Sequence, residues 1–93
     1  MAVYVDKLAP CIPNPRWRWN ESCHLFADST GELCKFAAAI GLRRSWLQPG
    51  GRHPPHYDLT AGKRAAAIRR GAVEIGRRQV VGRIRKWREE QDE

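Results

Sequence analysis

The chain has 93 residues and a formal net charge of +7 at pH 7. A chain of that length folds as one domain and buries only about 60–65% of its unfolded surface, so its core is thin. An apolar share of 42% with four Trp excludes disorder throughout, and no apolar run approaches the span of a membrane helix. Three cysteines, Cys11, Cys23 and Cys34, make an odd number with no C-x-x-C pair. They predict three reduced thiols and no four-thiolate zinc site. A cytoplasmic protein without a cofactor is the expectation.

In chain order, Ala2-Val3-Tyr4-Val5 is a β-rich apolar run ending at Asp6, and it predicts a first strand. Residues 7–20 hold Pro10, Pro13 and Pro15 and predict a long ordered loop or a sheet edge. Cys23–Ala27 predicts a second strand. Ser29 and Glu32 have capping-box spacing, and Leu33, Phe36, Ala37 and Ile40 follow at helical intervals. Gly41 stands where a left-handed C-terminal glycine belongs. Ser45–Gln48 predicts a third strand, and residues 49–57 a loop rich in Gly and Pro.

Thr60 predicts the cap of a second helix that runs to Arg70. Ala61, Ala65, Ile68 and Ala72 share one side of it, which we expect to face a sheet, with Lys63 and Arg70 opposite. Gly71 ends that helix, and Val73–Ile75 predicts a last strand. A third helix spans Arg77 to Glu90, with Trp87, Val80, Ile84 and Val81 as its apolar stripe. Strands alternating with helices predict an α/β fold, a small, partly parallel sheet of three or four strands covered by two or three helices. Residues 1–76 are the expected α/β core. Residues 77–93 are the expected arginine-rich helix with its acidic tail, packed on the same domain.

Four groups of residues bear on function. From Lys63 to Arg88 there are ten Lys or Arg against one acid, Glu74. Lys63, Arg70, Arg78, Arg83, Arg85 and Lys86 project from the two helices, and the planar guanidinium suits phosphate oxygens. A nucleic acid or another phosphate-bearing ligand is the expected partner. A solvated basic face, or docking on an acidic host protein, explains the same charge. The loop from Pro49 to Tyr57 feeds a helix N-terminus, where unpaired N–H groups attract anions, with Arg52 and Lys63 close by.

The third group is Asp6, His24, Asp28, His53, His56 and Asp58. These residue types serve as general acids, bases or metal ligands, but no spacing among them matches a metal motif. Asp6, His24, His56 and Asp58 are the catalytic candidates, and a shared site requires His24 and His56 within about 12 Å. The structural alternatives are a strand-ordering His24 and a helix-capping Asp28. In the fourth group, Trp17 and Trp19 alternate with Arg16 and Arg18. That pattern serves base stacking on a single strand or simple burial. Trp46 and Trp87 read as core.

Val3-Tyr4-Val5-Asp6, His24-Leu25-Phe26-Ala27-Asp28, Glu32-Leu33, Gly41-Leu42, Arg44-x-Trp46, His56-Tyr57-Asp58, Lys63-Arg64 and Gly71-Ala72 together resemble the domain of unknown function 4031 family. The resemblance spans about residues 3–75 and leaves out the arginine-rich helix. It implies a phage or bacterial setting and carries no activity with it. It also implies that Asp6, His24, Asp28, Trp46, His56, Tyr57, Asp58, Lys63 and Arg64 share a surface or framework. A ligand site formed by Arg52, His56, Tyr57, Lys63 and Arg64 is therefore the expectation, with Arg70, Arg78, Arg83, Arg85 and Lys86 as the nucleic-acid contacts. The functional readings are a binding module, a phage inhibitor docking on a host protein, and a small hydrolase of nucleotides or nucleic acid. A membrane partner is not expected, and a homodimer is open to so small a core.

Overall fold

The computed structural model describes residues 2–92. Five strands and three helices follow in the order β1 (Val3–Val5), β2 (Ala9–Pro10), β3 (Glu21–Ala27), α1 (Thr30–Ala39), β4 (Tyr57–Leu59), α2 (Ala61–Arg69), β5 (Val73–Glu74) and α3 (Arg77–Gln91). β3 is the hub: it pairs antiparallel with β1, β2 and β4, while β1 pairs parallel with β5. The result is the expected partly parallel α/β sheet, with five strands in place of three or four. No helix among the described residues is long and apolar enough to cross a membrane.

Both central helices start and stop by local chemistry. Ser29 Oγ accepts the Glu32 N–H at the head of α1, and Thr60 Oγ1 accepts the Lys63 N–H at the head of α2. Gly41 (φ 84°) and Gly71 (φ 106°) turn the chain out of each helix in the left-handed region. The following residue then closes back, Leu42 N–H on Ala37 O and Ala72 N–H on Ala67 O, both at 2.9 Å.

Strand alternation divides the sheet into two unlike faces. Val5, Cys23, Leu25, Tyr57 and Leu59 point to one face and form the core with Leu33 and Ala37 of α1 and Ala67 of α2. Their neighbours Tyr4, Asp6, His24, Phe26 and Asp58 emerge on the other face. α3 lies on that second side. Its Arg83 guanidinium sits 3.4 Å from the centre of the Tyr4 ring, and its Trp87 indole N–H donates to Gly51 O at 2.9 Å. Arg88 Nε donates to Arg52 O at 2.8 Å.

Several local expectations are corrected. Ser45–Gln48 is not a strand. Arg44–Trp46 forms a single 3-10 turn, and only Gln48 pairs, with His56. Pro49, Pro54 and Pro55 interrupt any longer ladder because proline has no N–H to give. Beyond them, β4 begins at Tyr57, inside the segment read as loop. Trp46 is half exposed rather than core, and Trp87 is only partly buried. Val81 is exposed, so the inner stripe of α3 is Val80, Ile84 and Trp87. On α2 the face is rotated: Ala61 and Ala65 are exposed, while Ala67 is buried. Lys63 and Arg64 reach inward with it, their head groups donating to the carbonyls of Ile40 and Asp6.

Candidate functional site

Three strands place a row of polar side chains on the second face. Asp6 follows β1 directly, and its N–H bonds to His24 O at 3.4 Å. His24 on β3 stands opposite Asp58 on β4. His56 lies two residues before Asp58, so it shares the same face, and the Gln48–His56 pairing pins its backbone. The His24 and His56 rings are 5.2 Å apart, edge to face, and each packs against Phe26. That is well inside the separation that one shared centre requires.

Hydrogen bonds set the orientation of both imidazoles. Asp6 uses one carboxylate oxygen to accept the His24 backbone N–H at 2.6 Å and the other to hold His24 Nδ1 at 2.8 Å. His56 Nδ1 faces Pro54 O at 3.0 Å. A carboxylate and a carbonyl can only accept, so Nδ1 carries the proton in both rings. In the neutral rings each Nε2 is then a lone-pair acceptor, and both point at Asp58: the two Nε2–Oδ1 distances are 3.8 Å. One ligand atom each from His24, His56 and Asp58 falls within 4.8 Å of the other two.

Charge follows the same geometry. Burial pushes the Asp6 carboxyl up, but the ring and backbone hydrogen bonds from His24 outweigh it and leave Asp6 below the ordinary carboxylate value. The hydrogen bond to Asp6 raises the His24 pKa against the opposing effect of burial, and the Asp6 and Asp58 charges add to the rise. The centre remains open to solvent, with side-chain exposures of 42% for His24, 35% for Asp58 and 20% for His56.

The other site candidates have different placements. Tyr57 points into the core, 1% exposed, with its hydroxyl 3.7 Å from Cys34 Sγ. Lys63 Nζ donates to Ile40 O at 2.7 Å, closing the last turn of α1. Arg64 Nε donates to Asp6 O at 2.8 Å, and its Nη2 pairs with Glu74 at 3.0 Å, tying α2 to β1 and β5. Arg52 is exposed on the loop beside α3, as is His53. Asp28 does not cap α1. It accepts Ala2 N–H, Tyr4 OH and Arg83 Nη1. The Ala2 hydrogen bond is the main cause of its lowered pKa. Arg70, Arg78, Arg85 and Lys86 are exposed, whereas Arg83 is held between Tyr4 and Asp28. Trp17 and Trp19 stack edge to face at 4.8 Å, with Arg18 over the Trp19 ring.

A family model described as "Protein of unknown function (DUF4031)" matches residues 3–87. The chain belongs to that family. The match runs past the block of residues that carries the sequence resemblance and takes in α3 as far as Trp87. It therefore covers both the histidine centre and the helix beside it. No curated protein and no solved structure matches the chain.

Two features of the centre have no signature in the sequence. Pro54 enters through its carbonyl, which no side-chain pattern advertises. The convergence of His24, His56 and Asp58 has no sequence spacing to betray it, because the 31 residues between the histidines are spent largely on α1 and a loop. The usable signal is weaker: His56 and Asp58 are two apart, as residues on one face of a strand must be.

Proposed function

We propose that the protein is a small hydrolase that cleaves a phosphate ester in a nucleic acid. The observation that carries this reading is the convergence of His24, His56 and Asp58 on one solvent-open point, with Asp6 fixing His24. Such a point activates water. The water oxygen bonds to phosphorus, the ester P–O bond breaks, and one proton passes from the water to the leaving oxygen.

The exposed Arg77, Arg78 and Arg85 of α3 support a polyanionic substrate. A cleft of about 180 Å³ beside the centre is lined by Phe26, Ala27, Asp28, Pro54, Arg83, Lys86, Trp87 and Glu90. Phe26 touches both histidines and Pro54 holds His56, so the cleft and the centre share a wall. Its volume is below the roughly 300 Å³ at which pockets begin to engulf a small molecule. It therefore suits one group of an extended strand better than a whole nucleotide. Arg83 is paired with Asp28, so of the two cations Lys86 is the one that can turn to a phosphate there, with Glu90 in the same lining.

The test is incubation with end-labelled single-stranded and duplex oligonucleotides. We expect cleavage that His24→Ala abolishes and Lys86→Ala slows through KM. Binding without cleavage of any substrate overturns the hydrolytic reading. It would favour a second one, a module that only holds nucleic acid, which the exposed Arg77, Arg78 and Arg85 of α3 support. In that case log affinity falls linearly with log salt, and removing the three arginines flattens the slope.

A further inference from the structure

When both rings are neutral, the centre sets three acceptor atoms against one another with nothing between them to donate. Both Nδ1–H groups are committed, to Asp6 and to Pro54 O, and an ionised carboxylate has no proton to give. At 3.8 Å the Nε2 and Oδ1 atoms are beyond hydrogen-bond distance. In that state the converging lone pairs repel until a proton or a metal ion sits among them. We propose that His24 Nε2, His56 Nε2 and one oxygen of Asp58 bind a divalent first-row transition metal.

Four features build the site beyond mere proximity. His24 and Asp58 stand on directly paired strands, and His56, just before β4, is held by its backbone pairing with Gln48, so the backbone holds their spacing. Each histidine has the outer partner that metal-bound imidazoles use, a carboxylate for one and a backbone carbonyl for the other. The charge balances, since Asp58 and Asp6 together offset a dication. The distances are close to those required: zinc bonds of about 2.0–2.1 Å place tetrahedral ligand atoms roughly 3.4 Å apart. The two Nε2–Oδ1 separations of 3.8 Å need a few tenths of an ångström to close, and the widest separation in the group, within 4.8 Å, needs roughly an ångström more of side-chain rotation at these solvent-open residues.

Donor chemistry selects the ion. Two imidazoles and one carboxylate suit zinc, iron, nickel or cobalt, whereas magnesium and calcium favour oxygen ligands throughout. Three protein ligands leave at least one coordination position to solvent, the pattern of catalytic rather than structural sites. A metal there lowers the pKa of its bound water toward about 7. This deepens the hydrolytic reading, on which the metal's catalytic role rests, while the coordination itself rests on geometry alone.

The experiment is a titration of the chelator-stripped full-length protein with zinc and cobalt(II), followed by calorimetry and visible absorption. We expect one equivalent of zinc to bind and cobalt to develop d–d absorption, with no comparable uptake of magnesium. His24→Ala and Asp58→Asn each weaken zinc by more than about 10-fold, and Asp6→Asn by about 10–100-fold. His53→Ala, on the exposed loop, changes nothing. Circular dichroism checks the fold, and the near-isosteric Asp58→Asn carries the test if His24→Ala unfolds. Unaltered zinc affinity in Asp58→Asn, or a loss in His53→Ala equal to that in Asp58→Asn, overturns the site. Zinc bound without ester cleavage keeps the site and removes the hydrolytic reading. Cleavage undiminished in excess chelator, by protein that takes up no zinc, does the reverse.

Discussion

His24 and Asp58 face each other across β3 and β4, and both side chains emerge on the sheet face turned away from α1 and α2. Cys23 and Leu25, on either side of His24, go into the core. So do Tyr57 and Leu59, on either side of Asp58. Two buried hydrophobic rows thus hold one polar row in register, since a slip of one residue would bury the ionisable groups. The site is as stable as the core beneath it.

The Asp6–His24 pair makes stability depend on pH in metal-free protein. Asp6 titrates below its ordinary 3.8, so its contribution is complete above that value and is lost as pH falls through the lower, folded-state pKa. His24 titrates above its ordinary 6.5, so its contribution is complete below that value and is lost as pH rises through the higher, folded-state pKa. The pair therefore stabilises most between about pH 4 and 6.5. Urea unfolding in chelator across pH 3–9, for the natural protein and Asp6→Asn, is expected to show the two curves closest outside that window.

Arg64 is expected to act on stability before it acts on any ligand. Arg64→Ala removes a hydrogen bond to Asp6 O and a pair with Glu74, at a cost of about 1–3 kcal/mol. Arg64→Lys recovers only part, because a single ammonium cannot reproduce the two-pronged guanidinium geometry. Urea midpoints measure both. An unchanged midpoint in Arg64→Ala would mean that the contacts contribute nothing.

α3 docks through a contact that one methyl group can disrupt. A Cβ added at Gly50 would lie 2.6 Å from the Trp87 ring and 3.2 Å from Pro55. Gly50→Ala is expected to push the indole away from Gly51 O and loosen the helix. Limited proteolysis reads this as faster cutting after the α3 arginines. Gly51→Ala, which meets nothing within 4 Å, is the control.

Cys23 is expected to be chemically silent. It is fully buried, and burial, with the Asp6 and Asp58 charges adding, pushes its thiol up to about 12. At pH 8 an aromatic disulfide reagent should leave Cys23 unlabelled in the native protein and label it on denaturation. Peptide mapping identifies the residue. Native labelling of Cys23 at the rate of a free thiol would contradict the packing.

α1 was legible residue by residue, because its cap, its apolar period and its terminal glycine all lie within thirteen positions, Ser29 to Gly41. β3 was legible from its apolar run. β4 was not, since three residues are too few to show a period and the preceding prolines look like the end of structure. Lys63 and Arg64 read as members of a ligand site, yet their partners are carbonyls of Ile40 and Asp6, which sequence cannot point to. The family itself was legible from the Asp6, His24 and His56-Tyr57-Asp58 segments.

By itself the sequence determined the elements whose causes are local, the sign and location of the charge, and the residue types available for chemistry. Only the tertiary structure decided that β4 pairs with β3 rather than with another strand. That pairing puts His24, His56 and Asp58 within 4.8 Å of one another. The physical reason is that strand partners are chosen by burial of a shared core, here Cys23, Leu25, Tyr57 and Leu59 under α1 and α2. The polar row on the opposite face is brought together as its consequence.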